Sequence, residues 1–442
     1  MSVQESDSTR PRDAAPAHGA MRDAPGMRDA SPSRRFDVAV IGAGIVGLGI
    51  AWTLIQSGRT VCVIDPDPAG GATFAAAGML APVSEFHYQE EHLLELMLAS
   101  AALYPAFVDS LAATGRPTGY RASETLVVGV DAADRQALAD LQRVQSQYGL
   151  KVEPLLVREA RSLEPMLGTR VSCAFRMSGD HQVDPRVLAA SLRGAIEGAS
   201  EGATEGATRA IRAPRHGTRS EIVPRRAAGL IRLDSSDEES AVVGVELDDG
   251  TRVMASEVIV ANGVGASELG GLPPSLRMPV RPVHGDILRM RVPERLRPLL
   301  STTVRGVVGG EQVYLVPRDD GTLVVGATQR EDGFSGVSAG GVYQLLRDAQ
   351  ALVPAVAELE LLEVTARARP GTPDNAPLLG RVSAPGGGAI PGLIIATGFF
   401  RHGVLLTPIA AQICERLVSG AHDPRWGAFL PDRFSDIRIG TP

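Results

Sequence analysis

From Phe36 onward the chain is laid out as short continuous apolar runs separated by longer stretches with helical spacing. Residues 36–41 and Val61–Ile64 are runs of β-favouring residues, and Ile45–Gln56 between them is apolar nearly all round and stops at Gly58. Runs of that length bounded by glycine read as buried strands around a buried helix, the β–α–β opening of a parallel sheet. Residues 38–55 carry no charge and are long enough to suggest a membrane span. Gly42, Gly44, Gly47 and Gly49 interrupt them, which suits strand, turn and helix instead. Residues 90–114 and 131–148 then read as amphipathic helices with a strand over 124–130 between them. Further strands are expected at 241–247, 258–261, 286–292, 313–316 and 323–327, the last two joined as a hairpin by Asp319-Asp320-Gly321. A strand over 393–396, a glycine-punctuated loop and a helix over Thr407–Val418 close the pattern.

The fold class is therefore α/β, or α+β overall: a Rossmann-like nucleotide-binding domain, discontinuous in sequence, with a second β-rich antiparallel-sheet domain. The expected division is a disordered tail over 1–34, a nucleotide-binding domain over 35–115, 172–270 and 366–442, and a substrate domain over 116–171 and 271–365. Near-repeats of Glu-Gly-Ala-Ser/Thr from Glu197 lead into an arginine- and proline-containing stretch, so about 197–226 reads as a low-complexity surface insertion. The tail lacks the apolar core of a signal peptide, and Met21 and Met27 each open the tetrad Met-Arg-Asp-Ala as candidate starts.

Composition narrows the chemistry. With 442 residues, 44% of them hydrophobic and 21% charged, the chain has ample material for two or three packed units. A net charge of −7 argues against nucleic acid as the principal partner. Lys151 is the only lysine among 44 basic residues, which excludes a Walker loop and Schiff-base chemistry. Cys62, Cys173 and Cys414 show no paired spacing, pointing to a reducing, cytoplasmic setting without disulfides or a zinc site.

The strongest chemical signal is Gly42-Ala43-Gly44-Ile45-Val46-Gly47 after a strand and opening a helix, with Asp65 ending the next strand. The glycines allow a tight turn, close approach of a diphosphate to the helix N-terminus and close packing of helix on strand, and the acid accepts ribose hydroxyls. The motif alone leaves NAD and FAD both open. Arg369, ahead of a Pro-Gly turn, and Arg401, in the loop between the last buried strand and helix, are candidate carboxylate anchors because a guanidinium makes two parallel charge-assisted bonds. Tyr314 suits a core position and a site position equally. The nucleophile-elbow pattern Gly198-Ala199-Ser200-Glu201-Gly202 has no strand before it, and His87 and His92 do not share a helix face, so neither is read as a site.

Taken together, the residues resemble the FAD-dependent D-amino acid oxidase superfamily, within it the glycine oxidases of bacterial thiamine biosynthesis. The likeness rests on Val-Ile-Gly-Ala-Gly-Ile-Val-Gly at 40–47, Thr-Phe-Ala-Ala-Ala-Gly-Met-Leu-Ala-Pro at 73–82 and Val-Asp-Pro at 183–185. It continues in Val-Ile-Val-Ala-Asn-Gly at 258–263, Tyr-Leu-Val-Pro-Arg-Asp at 314–319, Val-Gly-Ala-Thr at 325–328, Arg-Pro-Gly-Thr-Pro-Asp at 369–374 and Ala-Thr-Gly-Phe-Phe-Arg-His-Gly-Val-Leu-Leu at 396–406. The resemblance implies noncovalent FAD held by Gly42, Ala43, Gly44, Ile45, Val46, Gly47 and Asp65. Ala76, Ala77, Gly78 and Met79 would pass along the flavin, with Gly263 nearby. Gly398, Arg401, His402, Gly403, Val404 and Leu405 would frame its pyrimidine edge. Arg369 would take the substrate carboxylate, with Tyr314 beside it and Arg401 lining the pocket. Phe399 and His402 stand where relatives often have His and Asn, and Asp65 replaces the commoner Glu.

The resemblance further implies oxidative deamination of glycine, or of small amines such as sarcosine or D-amino acids, to the imine and then glyoxylate and ammonia. Molecular oxygen would yield hydrogen peroxide, or a thiazole synthase would take the imine. A homo-oligomer without membrane or nucleic-acid partners and without a metal is expected. Alternatives are a flavin amine dehydrogenase with a non-oxygen acceptor acting on D-amino acids, proline or N-methylglycine, a tRNA-modifying flavoprotein domain, and a noncatalytic flavin subunit.

Overall fold

The computed structural model describes residues 34–201 and 220–435, so residues 1–33 of the expected tail and 202–219 of the expected insertion lie outside the described residues. The opening β–α–β unit forms as expected: Arg34–Ile41, Ile45–Gln56 and Val61–Ile64 are strand, helix and strand. Five strands of one eight-stranded sheet run parallel, in the order Ala389–Thr397, Arg252–Val260, Arg34–Ile41, Val61–Ile64 and Glu221–Val223. Leu378–Ser383, Val242–Leu247 and Ala227–Arg232 add antiparallel strands on the far side. Register does the positioning. Ile41 pairs with Ile64 on one side and Val260 on the other, so Gly42, Asp65 and Ala261 emerge together at the carboxyl ends of three adjacent strands.

One face of this sheet is covered by Ile45–Gln56, Glu91–Ala112, Pro185–Glu201 and Thr407–Val418, whose apolar side chains share a single core with Val38, Val40, Val61 and Val63. Glu91–Ala112 has the length and apolarity of a membrane span, yet Leu93, Leu96, Met97, Tyr104 and Leu111 are buried in that core. Its polar groups point the same way. Ser100 Oγ donates to the Leu405 carbonyl at 2.6 Å and accepts from Ile409 N at 3.3 Å, and Tyr104 Oη donates to the Val404 carbonyl at 3.1 Å. The helix therefore braces the loop that the sequence assigned to the cofactor.

The second eight-stranded sheet runs Glu360–Gly371, Arg281–Arg291, Thr322–Gly326, Glu311–Pro317, Thr303–Val308, Thr125–Gly129, Cys173–Met177 and Glu153–Leu155, antiparallel except where Thr303–Val308 meets Thr125–Gly129. Helix Ala339–Leu352 packs Leu345, Ala349 and Leu352 onto one face with Leu288, Leu315, Leu323 and Val325. The opposite face carries Ile287, Val316 and Val324 against Ala75 and Ala77 of the first half.

Two boundaries differ from the sequence reading. Cys173–Met177 and residues 366–371, grouped above with the nucleotide-binding part, are strand residues of the second sheet, because their partners are Thr125–Gly129 and Arg281–Arg291. The expected insertion is also narrower at both ends. Its first residues finish helix Pro185–Glu201, and Glu221–Val223 is an edge strand of the first sheet. Helical phase continued by Glu197, and a short Glu-Ile-Val run, outweighed the low-complexity composition.

Tyr104 is 1% exposed. Removing its hydroxyl leaves the buried Val404 carbonyl only the 3.4 Å bond from Thr407 N, so Tyr104→Phe is expected to cost about 1 kcal/mol of stability in denaturant unfolding.

Candidate functional site

The glycine turn is shaped by contacts that only glycine permits. Gly42 has φ +105°, and a Cβ there would lie 2.5 Å from the Ala261 carbonyl oxygen, while a Cβ on Gly47 would lie 1.9 Å from the Gly42 carbonyl oxygen. Backbone, strand and helix are thus drawn into contact at the N-terminus of Ile45–Gln56, where amide groups without helical partners and the helix dipole favour an anion. Thr73 Oγ1 accepts from Ile45 N at 2.9 Å and fixes the neighbouring loop to this turn. Asp65 accepts from Ala43 N at 2.7 Å through one carboxylate oxygen and from Asp67 N at 2.8 Å through the other. A carboxylate retains further lone pairs for hydroxyl donors after two such bonds.

A cleft of about 1130 Å³ runs from this turn between the two sheets. Gly42, Gly44, Ile45, Val46, Asp65, Ala76, Ala77, Gly78, Met79, Gly263, Arg401, Gly403 and Val404 line it, as do Tyr314 and Arg369. Of the remaining assigned residues, Ala43 acts through its amide on Asp65 and Gly47 through the turn. Gly398 has φ +74° in the loop after the last strand of the first sheet. His402 and Leu405 lie beneath the lining, their carbonyls accepting from Leu406 N and Ser100 Oγ. Arg318, 5% exposed at its side chain, donates to the Ala77 carbonyl, to Gln182 Oε1 at 2.9 Å and to the Val183 carbonyl at 3.2 Å, with Asp184 3.6 Å away. Burial draws its pKa down to about 10.

Over the cleft, the second sheet presents two side chains through two gaps. Tyr314 stands opposite Gly326, where a Cβ would come within 2.6 Å of its hydroxyl. Gly285, a neighbour of the same face, leaves the space that the Arg369 guanidinium fills, for a Cβ there would lie 2.3 Å from Nη1. Burial pushes the Tyr314 phenol up, and the nearby Arg369 charge opposes that rise. Arg369 Nη1 reaches the Thr328 carbonyl at 3.4 Å. Thr328 is itself fixed by the fully buried Asp286, accepting from its amide and donating to its carboxylate, both at 2.8 Å.

On the other side of Tyr314 lies a cluster of charges that the sequence reading did not include. Arg305, paired across the strands with Tyr314, is ion-paired with Glu85. The other Glu85 oxygen, Oε2, is 3.6 Å from His402 Nδ1. Burial acts to raise the Glu85 pKa, but the positive charges beside it, Arg305 first and Arg401 with it, outweigh burial and bring it down to about 2. Burial depresses His402 to about 3, so its ring is neutral. Arg401 is held by Glu90 at 2.6 Å, and Glu90 also accepts from Asn375 Nδ2 at 2.8 Å. Arg401 lines the cleft as expected but arrives already paired with a carboxylate. Signals for this cluster did exist: Glu85 is the first charge after a long uncharged run from 68, and Arg305 interrupts an apolar β run.

Comparison with known proteins agrees with the geometry. Residues 37–417 match the model of the DAO family, described as FAD dependent oxidoreductase. The chain is 31% identical over 410 residues to the bifunctional protein ThiO/ThiG of Trichormus variabilis, covering 92% of this chain and 56% of that protein, so it spans about half the length of the first such relatives. It is 32% identical to glycine oxidase of Geobacillus kaustophilus over 87% of this chain and 93% of the relative. The crystal structure of glycine oxidase from Geobacillus kaustophilus superposes with a TM-score of 0.75 at 28% identity, covering 91% of this chain and 99% of that one. The residues present fit FAD: the glycine turn opens the helix N-terminus to the cleft, where it could take a diphosphate, Asp65 at the end of the next strand could accept ribose hydroxyls, and the cleft continues past Ala76–Met79 to Tyr314. The chain is a member of the DAO family of FAD-dependent oxidoreductases.

Proposed function

We propose that this protein oxidises glycine, or a small amine-bearing carboxylate of the same kind, to its imine. The observation that carries the reading is the state of the five arginines that line the cleft. Arg305, Arg330 and Arg401 are paired with Glu85, Asp286 and Glu90, and the exposed Arg367 donates to the Gly70 and Ala366 carbonyls, whereas Arg369, beside Tyr314 and with the Thr328 carbonyl at 3.4 Å, has no carboxylate partner among the described residues. A guanidinium without a carboxylate partner, beside a protonated phenol, is a receptor for the carboxylate of a ligand.

Bound FAD supplies a two-electron, hydride-accepting centre. Arg369 and Tyr314 would hold the substrate carboxylate and so fix Cα at one depth in the cleft, and positioning of this kind supplies much of the rate. The amine must be neutral when Cα gives up its hydride. The carbon–nitrogen bond then becomes an imine with loss of the amine proton. Water converts the imine to glyoxylate and ammonia, and oxygen accepts the two electrons as hydrogen peroxide. The glycine oxidase relative supports glycine as substrate, and a 29% identical relative from Rhizobium etli, a putative thiamine biosynthesis oxidoreductase ThiO, supports a place in thiamine biosynthesis, where the imine would pass to a thiazole synthase.

Anaerobic addition of glycine, sarcosine, D-alanine or D-proline to the yellow holoprotein tests the reading. Bleaching of the visible flavin bands by glycine is expected, and a flavoprotein bleached by none of them would overturn it. Arg369→Ala is expected to raise the half-saturating glycine concentration roughly 10- to 100-fold, the scale of a lost charge-assisted pair, in the same titration. Asp65→Ala is expected to weaken FAD retention by about 10-fold or more, read from flavin fluorescence released on dilution.

A further inference from the structure

We infer that Glu85 receives the substrate amine, making it the group that selects amines at a site whose carboxylate anchor lies on the opposite side of Tyr314. This rests on the amine-oxidising reading above. Three observations lead to it. Glu85 lines the cleft together with Met79, Tyr314 and Arg369. Its two oxygens are used unequally: Oε1 is taken by Arg305, while Oε2 faces the neutral His402 ring, with Nδ1 3.6 Å away, and among the described residues no hydrogen bond reaches that oxygen. The sheet places Arg369 and Arg305 on opposite sides of Tyr314, so a substrate seated on Arg369 extends its other end toward the Arg305–Glu85 pair.

An ionised carboxylate only accepts hydrogen bonds. Its free oxygen therefore suits an N–H of a primary or secondary amine and repels a second carboxylate. Arg305 keeps the acid ionised, and the positive charges of Arg369, Arg305 and Arg401 around it limit how far Glu85 can favour the ammonium over the neutral amine that the reaction requires. Asp180, buried, accepts from Val83 N at 3.1 Å and Ser84 N at 2.7 Å and so sets the turn that carries Glu85.

The test uses two ligands of the FAD-loaded protein: glycine, which has an amine, and acetate, which has only the carboxylate. In Glu85→Gln the half-saturating glycine concentration for anaerobic bleaching should rise about 10-fold or more. Acetate, followed by its perturbation of the flavin spectrum, should bind as well as before or more tightly, because a negative charge has left the cavity. Glu85→Gln combined with Arg305→Gln removes the pair without leaving an uncompensated guanidinium, and should show the same split. Equal weakening of glycine and acetate in both variants would mean a merely structural role, and unchanged glycine binding would also overturn the assignment. Failure of glycine to bleach the unaltered protein would instead sink the functional reading on which the inference rests.

Discussion

The cleft depends on one buried guanidinium. Arg318 sits at the end of a second-sheet strand and donates to Ala77 of the cofactor-side loop and to Gln182 and Val183 of the small strand beside it. It thereby fixes the distance between the glycine turn and the face that carries Tyr314 and Arg369. A cation so deeply buried is tolerable because oxygen atoms, including the Asp184 carboxylate, surround it. A parallel sheet can bind a nucleotide by itself and an antiparallel sheet can present a receptor, but a reaction needs the two held in register, and Arg318 joins them together with the Arg186–Glu363 and Glu85–Arg305 pairs.

The same electrostatic economy governs the rest of the cleft. Glu85 answers Arg305, Glu90 answers Arg401, and Asp286 answers Arg330. The histidine nearest these charges is kept neutral by burial. What is left beside Tyr314 is the positive charge of Arg369, while Arg367, exposed at the rim, donates to backbone carbonyls. Supporting elements serve this arrangement at a distance: Asp286 steadies Thr328 behind Arg369, and helix Glu91–Ala112 steadies the loop of Val404 and Leu405.

Much of this could be read from residues in order. The β–α–β opening is encoded largely locally: Gly47 is required by the Gly42 carbonyl within the same turn and Asp65 ends the paired strand, although the close contact at Gly42 comes from the distant Ala261. Arg369 and Tyr314 were reachable through their motifs. The Glu85–Arg305 pair was not, because the two residues are 220 positions apart and only the packing of the second sheet on the first loop brings them together. Cys173–Met177 illustrates the same limit: its local pattern says strand, and which sheet it joins is decided by Thr125–Gly129. Local chemistry is legible where the chain neighbours are the spatial neighbours, and a charged residue inside an apolar run is the trace that a distant partner leaves.

The edge strand Glu221–Val223 has a consequence for how this chain tolerates added length. It lies parallel to Val61–Ile64, and its final carbonyl, that of Val223, accepts from Asp65 N at 3.1 Å. The chain therefore enters this strand at the amino ends of the parallel strands, about 10 Å from the cradle at roughly 3.3 Å per residue. Residues added ahead of Glu221 would therefore join the sheet at the end remote from Asp65.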